Sequence, residues 1–377
     1  MRMSETLNLG LDRGAFRHPF YLYPNRVKRT YEGGMLLEKF RRYEKPVDGW
    51  FPEDWVGSTS LARCGVTPTE GYSYVRVTER EITLRRLIED SPEAILGAGH
   101  VAKFGSNSSL LVKLLDSRTR LRIQVHPSRR LARQLLGSDY GKTEAWIVLD
   151  TRRVNTETPY LLLGFKEGIT RSDFEKAVMK QNSTRLAEML HRVPVRPGDV
   201  FFVESGTPHA IGPGVFMVEV QEPSDHTIYV EPSGDDLLAE GSANNLGLGW
   251  DDAFRCFNYE GLTLDEVTKR WKKQPTSIQQ GEYGEKHMLL GCPQVSKYFR
   301  AYRLVVNRTL RSLYREYHIA VVTQGKGLFT NDYGDLPVES GDALFIPAAV
   351  GEHTWQNASI DGSSLEVITC HPPVSAT

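Results

Sequence analysis

Along most of this chain the apolar residues come in short runs rather than in helical stripes. Leu110 to Leu115, Leu121 to Val125, Ala145 to Leu149, Val200 to Val203, Val215 to Val220, Ile319 to Thr323 and Ala343 to Ile346 are β-rich runs bounded by Gly, Pro and Asp. This is the punctuation of short strands joined by turns, and it predicts β-barrels or sandwiches. Helical periodicity interrupts the pattern from Thr170 to His191. There Thr170, with Asp173 three residues on, predicts an N-cap and an acidic first turn, and Phe174, Ala177, Val178, Leu186, Met189 and Leu190 supply an apolar face that divides into two helices. A second helical region is expected from Asp251 to Trp271. Its basic run KRWKK reads as a solvated helix end favoured by the helix dipole. From Ser296 onward the texture is β throughout, so a boundary is expected between residues 275 and 295.

Length agrees with that division, because 377 residues are more than a single hydrophobic core usually sustains. The expected units are residues 1–275, with helical insertions at 165–195 and 234–275, and residues 285–377. Lys plus Arg total 46 against 47 for Asp plus Glu, so a formal charge of −1 offers no overall field for nucleic acid or an anionic membrane. Cys64, Cys256, Cys292 and Cys370 lie far apart without CxxC spacing, which predicts reduced thiols. The opening MRMSETLNLGLDRGAF lacks the apolar core of an export signal, and no stretch approaches a membrane span. A cytoplasmic monomer or homodimer is the expectation.

The chemistry concentrates in three segments. In LRIQVHP, residues 121–127, alternation along a strand puts Gln124 and His126 on one face and Ile123 and Val125 on the other, so a Q-x-H pair is fit to hold one metal. In GKTEAWIVLD, Glu144 heads a buried-looking strand, where a carboxylate is costly unless it is paired or bound to a cation. In GDVFFVESGTPHA, a Gly198-Asp199 turn, an apolar strand and a Gly206 turn lead to His209. That G-D-x(6)-G-x-x-H arrangement is the second half of the cupin metal signature. Gln124, His126, Glu144 and His209 together form an N/O donor set suited to zinc, with iron, manganese or cobalt as possible replacements.

Lys113-Leu114-Leu115-Asp116, IQVHP, GKTE, GFKEGIT (164–170), HRVPVRPGD (191–199), SGTPHAIG (205–212) and VEVQEPSD (218–225) follow one another in an order that resembles the class I mannose-6-phosphate isomerases. The resemblance is strong from residue 90 to 232, faint before residue 60, where Gly33-Gly34 follows Glu32 instead of Trp, and moderate toward the C-terminus. It implies a mainly β fold of two cupin-type (jelly-roll) β-barrels with a helical insertion, one Zn2+ on Gln124, His126, Glu144 and His209, and a sugar phosphate as substrate. The implied reaction interconverts mannose 6-phosphate and fructose 6-phosphate through a cis-enediol. Lys142 matches the family's active-site lysine and Glu219 a carboxylate of the same pocket. Proton transfer between C1 and C2 needs a base, for which Glu219 leads and His226 follows, and a cation beside the enediolate oxygen, which Lys142 can supply.

Three positions depart from the family. Arg122 replaces a Ser that touches the substrate phosphate, Tyr229 stands where the family has a catalytic Arg, and Ile211 replaces a Tyr of eukaryotic members. Arg122 and Tyr229 are therefore read as substrate-binding residues, and a guanidinium there suits phosphate or a uronate carboxylate alike. An isomerase or epimerase of a free or acidic sugar, or a non-catalytic sugar-binding cupin, stays open beside the leading reading. An iron dioxygenase is disfavoured by Gln where two His are usual. In the C-terminal barrel His318 and His353 are the plausible ligands, but no paired Q-x-H or H-x-H precedes His318, so that barrel is expected to carry no metal.

Overall fold

The computed structural model describes residues 13–63, 65–77, 80–232 and 243–374. Cys64 and the part of the expected helical insertion at 234–242 lie outside the described residues. Four main sheets form two face-to-face pairs. The first pair joins a seven-stranded antiparallel sheet, in the order Lys272–Lys273, Val200–Val203, Glu144–Thr151, Val215–Gln221, Leu111–Asp116, Glu53–Val56 and Arg26–Val27, to a sheet centred on Tyr160–Lys166, His209–Ile211 and Gln124–Val125. The second pair joins a seven-stranded sheet running from Phe20–Tyr21 through Ala343–Ile346, His318–Gln324 and Leu365–His371 to Thr276–Gln279, and a four-stranded sheet of Thr309–Leu313, Glu352–Asn357, Lys326–Asn331 and Gly334–Glu339. Among the described residues the ladders end at open edges. Each unit is a jelly-roll-type pair of sheets, not a continuous hydrogen-bonded cylinder.

The central strands are buried on both faces, which explains why they read as unbroken apolar runs and not as alternating ones. In Val215–Gln221 every residue is buried. Met217 points between the sheets of its own unit, with Leu115, Trp146, Val148, Leu161 and Leu163. Phe216, Val218 and Val220 point the other way, into a core shared with Ile319, Val321, Phe345, Ile368 and Cys370 of the second unit. The two seven-stranded sheets therefore pack back to back, and Phe20 and Tyr21, near the start of the chain, pair with Phe345 and Leu344 at the edge of the second.

The helices cover the outer face of the smaller first-unit sheet, where Ile123, Val125, Leu162 and Ala210 meet Phe174, Val178, Leu186 and Phe254. Thr170 caps Arg171–Met179 as expected, accepting from the Asp173 amide at 3.1 Å. The region expected to be helical from Asp251 to Trp271 is two helices, Trp250–Arg255 and Leu264–Trp271, separated by a short strand. The basic run also differs from its expectation. Lys272 and Lys273 form an edge strand against Val200 and Phe201, Lys272 pairs with Asp199 at 2.8 Å, and Arg270 with Glu260 at 2.5 Å. Carboxylates from two separate segments, not solvent alone, answer that charge.

Candidate active site

The inner faces of three adjacent strands carry polar groups at one end. Lys113 lies directly across from Glu219, and Glu144 lies across from Gln221, two residues along the same strand. Facing them from the smaller sheet, His209 is paired across the ladder with Gln124, and Gln124 in turn with Tyr229. Alternation therefore brings Gln124, His126, Glu144 and His209 into one cluster. His126, Glu144 and His209 each offer a ligand atom, all within 4.8 Å of one another.

Backbone carbonyls set the orientation of both imidazoles. His126 Nδ1 lies 2.9 Å from the His226 carbonyl oxygen and His209 Nδ1 lies 2.9 Å from that of Thr207, so each ring donates through Nδ1 and turns its Nε2 lone pair inward. Those Nε2 atoms sit 3.3 and 3.2 Å from the two Glu144 oxygens, and the Gln124 amide lies 3.1 Å from His209 Nε2. Burial and the Lys142 ammonium push His126 down to about 3, which keeps its lone pair available. Burial alone would raise Glu144, but Lys142 and His126 hold it well below the usual carboxylate range. Two imidazoles, a carboxylate and an amide converging in this way fit a divalent metal, with donors suited to zinc.

The loop bearing Lys142 is held by backbone contact. Gly141 lies so close to Pro127 and Ser128 that a Cβ would fall 2.5 Å from the Pro127 carbonyl oxygen. Ser224 donates to the Gly141 carbonyl at 2.5 Å, and the Thr143 amide donates to Glu222 at 2.9 Å. So fixed, Lys142 Nζ reaches Glu144 at 2.6 Å, His126 Nε2 at 2.9 Å and Glu219 at 3.8 Å. Burial and the Glu144 charge raise Glu219 above its ordinary value, against the pull of Lys113 at 3.0 Å.

Gln124, Lys142, Glu219, Arg122 and Tyr229 line one pocket. The Arg122 guanidinium stacks on the Tyr229 ring at 3.8 Å and donates to Asn244 at 2.7 Å. The His226 side chain is not among the lining residues. Its contribution is the carbonyl that orients His126. The pocket also holds charged residues that the sequence reading passed over. Lys113 appears there only as part of a motif, and Arg29 and Glu53 not at all. Arg29 pairs with Glu53 at 3.0 Å and Asp225 at 3.2 Å, and Glu53 stands 3.8 Å from Lys113. Four cations (Arg29, Lys113, Arg122, Lys142) thus stand with four carboxylates (Glu53, Glu144, Glu219, Asp225), a formal balance that a divalent ion turns net positive. A burial-driven signal could have found Glu53, a charged residue inside the otherwise buried strand EDWV.

One measurement tests the metal cluster. His126→Ala should remove one equivalent of divalent metal per chain in elemental analysis, whereas His318→Ala should leave the content unchanged. A parent protein without stoichiometric transition metal would sink the ligand set.

Fold and site define a cupin-type protein with a cluster fit to hold a metal in its first sheet pair. The family pattern described as phosphomannose isomerase type I, catalytic domain, matches residues 51–144. A Bacillus subtilis protein named as a probable mannose-6-phosphate isomerase, GmuF, is 27% identical over 359 residues, covering 94% of this chain and 99% of its own. A Streptococcus mutans mannose-6-phosphate isomerase is 28% identical, covering 94% and 98%. The crystal structure of the Bacillus subtilis mannose 6-phosphate isomerase superposes with a TM-score of 0.71 at 23% identity over 94% of this chain and 99% of that one. A zinc-bound mannose 6-phosphate isomerase gives 0.67 at 15% identity over 94% and 100%. Residues 51–144 thus carry the catalytic-domain pattern of the type I phosphomannose isomerases, and over nearly its whole length the chain is similar to mannose-6-phosphate isomerases.

Proposed function

We propose that this protein interconverts mannose 6-phosphate and fructose 6-phosphate in the cytoplasm, using one zinc ion held by Gln124, His126, Glu144 and His209. The observation that carries the reading is the convergence of His126, Glu144 and His209, with Gln124 against His209, beside Lys142, which lines one pocket with Gln124 and Glu219. Zinc bound there would polarise substrate oxygens and orient the sugar. Glu219, raised above an ordinary carboxylate, takes the proton from one of C1 and C2 and returns it to the other. Lys142 places a positive charge against the oxygens on which negative charge develops. Arg122, braced by Tyr229 and Asn244 at the pocket mouth, binds the phosphate. The residue-275 to 285 division into a metal-bearing unit and a metal-free C-terminal one accords with this assignment, as do the free thiols of Cys256, Cys292 and Cys370 with a reducing compartment.

The test is to incubate the protein with phosphorylated and free aldoses and ketoses in deuterated water and to follow deuterium at C1 and C2. Incorporation into mannose 6-phosphate and fructose 6-phosphate is expected. Arg122→Ala should raise KM for the phosphosugar by about 10- to 150-fold, the worth of a charge-assisted contact of about 1.5–3 kcal/mol, with turnover largely intact. Exchange confined to free or acidic sugars would move the assignment to those substrates. No exchange at all would leave a sugar-binding protein.

A further inference from the structure

Arg29 is a buried arginine on the pocket wall, shared with Gln124, Lys142 and Glu219. It comes from the segment after the edge strand Arg26–Val27, far in sequence from the segments that carry Gln124, Glu144 and His209. Its plane is fixed on two sides. Nε faces Glu53 at 3.0 Å, and Nη1 and Nη2 face the two oxygens of Asp225 at 3.2 and 3.3 Å. Asp225 is itself held by the Arg63 amide at 3.0 Å, and Glu53 by the Tyr31 hydroxyl at 2.7 Å and the Trp55 indole at 2.8 Å. These contacts use three of the five N–H bonds of a guanidinium and leave two.

The other pocket cations are differently placed. Lys113 is divided between Glu219 and Glu53, and Lys142 lies against Glu144 and His126. Tyr229 contributes a phenol and an aromatic face on which Arg122 stacks, not a charge of its own. Burial works against the Arg29 charge, but Asp225, Glu53 and then Tyr229 more than offset it. Arg29 is therefore a permanently charged group, rigidly aimed, with donors to spare, on the wall that Tyr229 leaves uncharged.

Resting on the isomerase reading, we propose that Arg29 is a catalytic residue that donates to the sugar oxygen bearing charge in the enediolate. When the proton leaves C2, its electron pair enters the C1–C2 bond and the carbonyl pair moves onto O1. The Arg29 N–H groups meet that charge; the O2 proton then passes to O1, the O2 pair forms the C2 carbonyl, and the C1–C2 π pair takes the proton at C1. Glu53 and Asp225 act through Arg29 as positioning residues.

Parent turnover of mannose 6-phosphate is measured first. Its absence overturns the isomerase reading and the assignment with it. Arg29→Gln should lower kcat by about 100-fold at little-changed KM. Because that change strands two buried carboxylates, Arg29→Lys is the variant that keeps a charge between them. It should hold its metal and melt near the parent, yet lose about tenfold in kcat through the missing N–H donors. Adding Tyr229→Arg to Arg29→Lys should restore most of that loss by returning a guanidinium to the pocket. Parental kcat in Arg29→Lys, or a loss that Tyr229→Arg does not relieve, overturns the assignment while leaving the isomerase in place.

Discussion

Lys142→Ala should lower kcat and kcat/KM together by a factor on the order of 100 or more, with KM nearly unmoved. The ammonium is buried within 2.6 Å of Glu144 and 3.8 Å of Glu219, where the low local polarity gives one positive charge far more effect than it has in water. An interaction that strengthens as the enediolate forms lowers the barrier without tightening the ground state. Lys142 also touches Glu144 and His126, two of the proposed metal ligands, so metal content must accompany the kinetics. Loss of rate at full metal content marks electrostatic stabilisation of the reacting oxygens. Loss of both together would mean that Lys142 serves the ligands instead, and turnover equal to the parent's would remove it from the mechanism.

The second large effect is on stability in acid, and three histidines of the C-terminal unit contribute much of it. His318, His353 and His371 are buried on three neighbouring segments, with His318 stacked on His371 at 4.8 Å and on His353 at 5.6 Å. Stacked rings turn their in-plane lone pairs past one another. Among the described residues these three do not form a convergent ligand group, unlike His126, Glu144 and His209. Around them stand Tyr314, Phe329, Thr369 and the cations Lys286 and Arg300, with Glu316 the one nearby carboxylate, 3.6 Å from His371. Burial first, and then the neighbouring positive charges, depress all three, His353 to about 4 and the others well below the ordinary value.

The folded protein therefore keeps these rings neutral, while the unfolded chain protonates them near pH 6.5. Above that pH they cost nothing. Below it the unfolded state binds up to three more protons, and stability falls by up to about 4 kcal/mol per pH unit until the folded rings begin to titrate. By pH 5 the loss approaches about 6 kcal/mol, comparable with the whole stability of many domains. Urea midpoints measured from pH 7 to pH 4.5 should fall steeply, and His318→Phe should flatten the curve by up to about 1.4 kcal/mol per pH unit, the share of one such ring. A midpoint independent of pH between 7 and 5 would show that these histidines find proton-tolerant surroundings.

Much of the site was legible because its residues obey the two-residue period of strands. Gln124 and His126 point inward while Ile123 and Val125 pack under the helices, and Glu144 was marked by its place at the head of an apolar run. The arginine and carboxylates of the opposite wall obey no such rule. Arg29 meets Asp225 across 196 residues and Lys113 meets Glu219 across 106, contacts that only the tertiary register creates. His371 was missed for the same reason. It lies beyond the G-D turn and the I-P strand end that drew attention to His353, and the ladder pairing of Leu365–His371 with His318–Gln324 brings it beside His318. The mainly β architecture was plain from the spacing of the runs. That both faces of the long strands would be covered was implied by their lack of alternation, though not what covered them.

The back-to-back packing of the two seven-stranded sheets means that the metal-bearing half was never shaped to meet water on its own. Cutting the chain after residue 275 would uncover Ile147, Val200, Phe202, Phe216, Val218 and Val220 in one contiguous sticky sheet. It would also strip Phe20 and Tyr21 of their ladder partners. The C-terminal half thus acts as a built-in chaperone surface for its neighbour. The two halves should melt together in a single transition, and a gene encoding the metal-bearing half alone should yield inclusion bodies instead of a smaller enzyme.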